Sequence, residues 1–223
     1  MTDVSETGSS SFSAEAFTAR ARRRLSLDAA RAREPAIRLP GGDHALDPGF
    51  EGAPEAASAL RLAAVLIPVI AHRDQATVLL TQRTEHLPSH AGQIAFPGGK
   101  IEEADETPLS AALREAQEEV GLPPGHVEPI GYLRPYHSRT GFNIVPVVAT
   151  VRPGFTLTLD QSEVADAFEV PLSFLMNPDN HQRLSRVLRG ELRHFFAMPY
   201  QNRYIWGVTA GIIRELYDEV YRR

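Results

Sequence analysis

Residues Gly98–Leu122 read GGKIEEADETPLSAALREAQEEVGL, and this run decides the fold. Thr107 is a good helix N-cap, and Pro108 suits the first helical position because its missing N–H would be unpaired there anyway. Gly121 supplies a left-handed stop, and Pro123–Pro124 prevent the helix from resuming. At 3.6 residues per turn, Leu109, Ala112, Leu113, Ala116 and Val120 form an apolar stripe. Glu115, Glu118 and Glu119 fall together on a neighbouring face, spaced i, i+3 and i+4. Like charges at that spacing destabilise an isolated helix. A hard divalent cation would compensate, since carboxylate oxygens are its preferred ligands. The plainer alternative is a solvated acidic face with Arg114 as neighbour. Against that alternative stand the glycine pair Gly98–Gly99, where backbone approaches a ligand closely, and Arg114, which can fix carboxylates or meet phosphate. A second acidic patch, Glu102, Glu103, Asp105 and Glu106, leads into the helix.

Outward from this run, the chain alternates short β-rich segments with helices. Strands are expected at Ala63–Ala71, Ala76–Thr81, Ile94–Phe96, Val127–Tyr136, Phe142–Val151 and Glu191–Met198, with a mixed apolar segment at Val164–Leu175. Pro68 marks a bulge or an unpaired edge in the first of them. Val208–Val220 reads as a closing amphipathic helix. The expected class is α/β or α+β, with a mixed sheet in layers. Residues 1–60 read as an arm, a helix and an irregular connection, and 61–223 as the main domain. In the arm, Ser13 starts a helix, with Phe12 and Phe17 placed as a hydrophobic staple. Seven arginines lie between Phe17 and Arg38; they form either a phosphate-binding or targeting arm or a solvated face whose Phe17, Ala21 and Leu25 side docks on the body.

Composition narrows the function. With 43% hydrophobic and 23% charged residues over 223 positions, the chain is ordinary globular material. The absence of cysteine excludes disulfides, thiolate metal sites and a cysteine nucleophile. A net charge of −5 argues against nonspecific nucleic-acid binding, which wants a basic surface. No window approaches about 18 uninterrupted apolar residues, so no membrane-spanning helix is expected. The opening MTDVSETGSSSF lacks a secretory pattern, and a cytoplasmic location is expected. The sequence leaves a homodimer open.

The run from Arg114 to Leu122 resembles the Nudix box, whose pattern is Gly, five residues, Glu, seven residues, then Arg-Glu-apolar-any-Glu-Glu-any-Gly-apolar. Its second half matches residue by residue. In the first half Asp105 stands five residues after Gly99 where the box has Glu, and eight residues separate it from Arg114. Asp105 and Glu106 both remain candidates for that acidic position. Upstream, Leu79–Arg83 (LLTQR), His90–Ile94 (HAGQI) and Phe96–Gly99 (FPGG) are similar to the extra motif of the coenzyme A pyrophosphatase branch. Tyr136, Thr140–Phe142 and Trp206–Ala210 look like that branch too.

The resemblance implies an α/β/α sandwich with a mixed β-sheet, a magnesium or manganese cofactor, and hydrolysis of coenzyme A to 3′,5′-ADP and 4′-phosphopantetheine. Other Nudix substrates such as ADP-ribose or NADH are the nearest rival, and a non-catalytic nucleotide binder a further one. By matched position, Glu115 and Glu119 are metal ligands, Glu118 is a further ligand or the base, and Arg114 orients the carboxylates. Glu163 is an alternative base. Arg83, His90, Gln93, Gly98 and Gly99 form a donor-rich approach for the substrate's phosphates, and Arg83 is the candidate for the 3′-phosphate. For Arg83 the alternative is a surface ion pair, and for His90 and Gln93 a loop-pinning hydrogen bond.

Overall fold

The computed structural model describes residues 10–28, 42–47, 61–87, 90–138, 140–188 and 191–222. Its centre is β1 (Arg61–Ala71), flanked by β2 (Ala76–Arg83) and β7 (Phe142–Val151). β1 and β7 run parallel, from Arg61 opposite Phe142 to Ile70 opposite Val151. All other pairings in this sheet are antiparallel: β2 with β1, with β3 (Ile94–Ala95) and with β8 (Val164–Pro171), β4 (Gly98–Lys100) with β1, and β5 (Val127–Tyr132) and β6 (Tyr136–His137) with β7. The result is one eight-stranded mixed sheet.

β1 is an unbroken apolar run because both its faces are buried. Ala64, Leu66 and Ile70 pack with α2 (Pro108–Val120), through Ala111, Ala112, Ala116 and Val120. Ile67 and Val69 face the opposite layer, with α1 (Ala14–Arg22) and α4 (Val208–Val220), where Phe17, Ile212 and Leu216 are buried. Helices therefore cover both faces, as the layered reading expected. α3 (Leu172–Leu175) is a single turn after β8.

Several local expectations hold in detail. Ser13 caps α1 by accepting from Ala16 N–H at 3.2 Å, and Phe17, Ala21 and Leu25 are buried. Phe12 stacks on Tyr221 of the closing helix at 5.7 Å, so it is held by that ring. Of the arginine run, Arg31, Arg33 and Arg38 lie outside the described residues, as does most of the connection from Pro35 to Pro54. Thr107 caps α2 in a reciprocal box with Ser110, and Gly121 closes it at φ 67°.

Other expectations are corrected. Pro68 lies neither at a bulge nor at an edge, but midway along a central strand. Leu66 N–H points to Pro97 O at 2.8 Å, so the Pro68 nitrogen faces the same flank. There β4 has ended at Val65 and β2 pairing starts only at Val69, so the missing N–H falls in the gap between partners. The short strand β3 ends at Ala95, and Gly98–Gly99 then enter a further strand, β4, that the sequence did not indicate. The expected strand to Tyr136 breaks after Tyr132, with Tyr136–His137 resuming as β6. The apolar stripe of α2 is also rotated: Leu109 and Leu113 are half-buried, while Ala111 and Glu119 are buried. A second sheet, β9 (Gln182–Leu188), β10 (Glu191–Tyr200) and β11 (Arg203–Trp206), was foreseen only in β10.

Candidate active site

Three elements converge at the carboxyl-rich face of α2. β4 runs beside the helix, β2 ends at Arg83, and the loop before β8 carries Glu163. Glu119 lies at their junction, 5% exposed. Its Oε2 accepts from Gly98 N–H at 3.1 Å, and its Oε1 lies 3.7 Å from Arg83 Nη1. Burial pushes the Glu119 carboxyl up to about 7; the Gly98 bond and the Arg83 charge pull the other way, and the charges of Glu115 and Glu163 add to the rise. Burial also raises Glu115, with Arg114 opposing and the charges of Glu118 and Glu163 reinforcing it. A Cβ at Gly99 would meet Glu115 Oε1 at 2.4 Å, so a side chain there would displace the Glu115 carboxylate.

Arg114 ties the acids together. Its Nε and Nη2 grip Asp105 at 3.2 and 2.9 Å in a bidentate fork, and Nη2 also donates to Lys100 O at 3.1 Å. Its Nη1 donates to Glu115 Oε1 at 3.1 Å and Glu118 Oε2 at 3.0 Å. Asp105, whose side chain is 6% exposed, is held below the usual carboxylate range by that guanidinium. Its Oδ2 also accepts from Glu102 N–H at 2.9 Å, while Glu106 is exposed. Of the two acids left open by the sequence, Asp105 is the one bound to Arg114.

The three helix glutamates do not share one environment. Glu118 is 59% exposed on its side chain, against 6% for Glu119. Among the described residues, no three carboxylates or imidazoles are gathered closely enough to hold a metal ion. Arg114 holds Glu115 and Glu118, while the Gly98 N–H holds Glu119. Glu163 is exposed, with its carbonyl accepting from Thr84 N–H at 2.9 Å. His90 and Gln93 bond each other, Nδ1 to Oε1 at 2.8 Å, and the Gln93 carbonyl accepts from Arg83 N–H at 2.9 Å. They brace the loop that leads to the glycines, the loop-pinning alternative; Arg83, Gly98 and Gly99 are brought to the carboxylates.

The model of the NUDIX domain matches residues 60–190 of this chain. The chain belongs to the Nudix family. It is 45% identical over 156 residues to the uncharacterized Nudix hydrolase NudL of Escherichia coli K12, an alignment spanning 70% of this chain and 81% of that protein. Among solved structures it resembles a Deinococcus radiodurans protein at TM-score 0.48 and 13% identity, covering 74% and 90% of the two chains. The Nudix domain of Shewanella oneidensis NrtR, solved with ADP ribose, aligns at TM-score 0.41 and 26% identity over 55% and 80%. As a Nudix hydrolase the chain is a pyrophosphatase of nucleotide-derived substrates, a family that generally uses a divalent metal. Among the described residues no helix is long and apolar enough to cross a membrane.

Proposed function

We propose that this Nudix hydrolase cleaves the pyrophosphate of a nucleoside diphosphate joined to a second group, the class that includes ADP-ribose and NADH. The carrying observation is Glu119: a buried carboxylate fixed to Gly98 N–H and beside Arg83, within reach of the charges of Glu115 and Glu163. A buried acid among like charges is costly, and Arg83 at 3.7 Å offsets only part of that cost, which favours a further cation as partner. The all-oxygen donor set suits magnesium or manganese, with Glu119 and Glu115 as principal holders and Glu118 joining once released by Arg114. Such a cation supplies charge neutralisation at the pyrophosphate oxygens and makes water more acidic.

The chain's own residues do the rest. Arg83, aimed at Glu119, meets a pyrophosphate oxygen and orients the scissile bond. Arg114 is a positioning residue, fixing Glu115 and Glu118 through a fork anchored on Asp105. Glu163, outside the Arg114 grip, takes the proton of the attacking water. A second reading, coenzyme A as substrate, rests on the similarity of Leu79–Arg83, His90–Ile94 and Phe96–Gly99 to the coenzyme A branch. Purified protein with magnesium or manganese, offered ADP-ribose, NADH, coenzyme A and a nucleoside triphosphate, tests both. Turnover of coenzyme A alone would select the second reading, and turnover of none would sink both.

A further inference from the structure

A cleft of about 460 Å³ opens between the Ala91–Ile94 segment and the β10–β11 hairpin. Gln82 and Gln93 form one wall, and Asn202, Arg203, Tyr204 and Trp206 the other. The first wall is shared with the phosphate end of the site, because Gln93 O holds Arg83 N–H at 2.9 Å and Arg83 reaches toward Glu119. The second wall is aromatic. Tyr204 is 45% exposed, and its ring is tilted 36° to that of Trp206 at 6.4 Å. Phe195 braces Trp206 from the other side, edge-on at 5.6 Å.

The polar groups at the rim are selective. Arg203 is already committed: it donates to Gln82 Oε1 at 3.0 Å, pairs with Asp166, and lies 3.7 Å over the Phe168 ring. What remains facing a ligand is the Asn202 carboxamide and the Gln93 amide nitrogen, since Gln93 Oε1 is already bonded to His90 Nδ1 at 2.8 Å. A carboxamide offers one acceptor and a donor pair side by side, which complements the donor and acceptor edge of adenine. The two-acceptor edge of guanine calls instead for a cationic fork, and here that fork is spent.

We propose that this cleft is the base subsite, taking an adenine stacked on Tyr204 and Trp206 and read by the Asn202 carboxamide, with the Gln93 amide nitrogen as a further donor. The proposal rests on the nucleotide pyrophosphatase reading and gives it a base preference. Stacking on an aromatic ring accounts for roughly tenfold to a hundredfold in affinity when the ring is removed.

Trp206 is the chain's single tryptophan, so its fluorescence reads the cleft without any turnover. Metal-free protein titrated with AMP should show a saturable change, with GMP about tenfold weaker and ribose 5-phosphate silent. Tyr204→Ala, an exposed position whose folding is checked by circular dichroism, should weaken AMP tenfold or more. It should also raise KM for an adenine substrate while kcat stays within a few-fold. No response to AMP, an equal response to ribose 5-phosphate, or unchanged AMP affinity in Tyr204→Ala overturns the subsite. If AMP fails to bind the cleft while the parent enzyme still cleaves nucleotides, only the subsite falls. Saturable AMP binding in a protein inert on every nucleotide keeps the subsite and retires the pyrophosphatase reading.

Discussion

Arg83 and Glu119 face each other across the end of β2, with Nη1 3.7 Å from Oε1, too long for a hydrogen bond yet close enough for their charges to interact. On the function proposed above, a guanidinium so placed would meet the reacting pyrophosphate rather than a remote ribose phosphate. Arg83→Ala should therefore slow coenzyme A and dephospho-coenzyme A, or ADP-ribose and its 2′-phosphorylated form, by equal factors of roughly ten or more. Measuring kcat/KM for each pair checks this. Unequal losses would return Arg83 to the role of an outlying phosphate reader.

Glu119 gives a pH signature. Its carboxyl is raised from 4.5 to about 7 in the fold, so the native state holds the proton more tightly than the unfolded chain. Its stabilising contribution is then complete below pH 4.5 and is lost as pH rises through about 7. Glu119→Gln should leave the metal-free melting temperature nearly unchanged at pH 4 and raise it at pH 8, while turnover falls on the order of 10²-fold or more. Magnesium or manganese should raise the melting temperature of the parent at pH 8, and chelation should reverse it. The variant should lose most of that response. A variant destabilised at both pH values would contradict the assignment.

Asp105 and Glu106 are adjacent acids with different fates. Removing Asp105 leaves a partly buried Arg114 with two of its donors unpaired, so Asp105→Ala should cost roughly 1–3 kcal/mol in chemical denaturation and reduce turnover through the loosened Glu115 and Glu118. Glu106→Ala should fall within about 0.5 kcal/mol of the parent. Equal effects would remove Asp105 from the box.

The proton acceptor is separable from the metal holders by a metal-binding readout. Glu163→Gln should lower kcat on the order of 10²-fold, leaving KM and metal-induced stabilisation close to those of the parent. Glu118→Gln should instead weaken the metal response. The reverse pattern would make Glu118 the base.

Sequence alone carried the layers and the box helix far, because caps and stops are local chemistry. Thr107, Pro108 and Gly121 each do one job within their own turn, and each was readable. The stripe of α2 was misjudged by one position because periodicity ranks residues by polarity, and Glu119 is buried by a backbone donor from another strand. That donor, Gly98 N–H, leaves no mark in side-chain patterning. The Asp105–Arg114 fork was likewise undecided, since a one-residue loop length change shifts the register that spacing reads. β9 and β11 were missed because their faces are mixed: Leu184 and Val187 are exposed, and RYIW is only four residues long. The aromatic content of that last segment was the available signal.

The docking of α1 has a bearing on where the chain can be shortened. Phe17 is wholly enclosed, Ser26 O receives Tyr132 N–H at 3.0 Å, and Gly131 lacks a Cβ where one would stand 2.6 Å from Ser26 N. The backbone of β5 is thus moulded around a segment lying well before residue 60, where the family match starts. A chain cut back to that boundary would keep every acid of the catalytic helix and still present the socket vacated by Phe17 as a greasy hollow to water. Its failure would show as poor solubility and precipitation on warming, a defect of the opposite sheet face that an activity assay would mistake for damage to the chemistry.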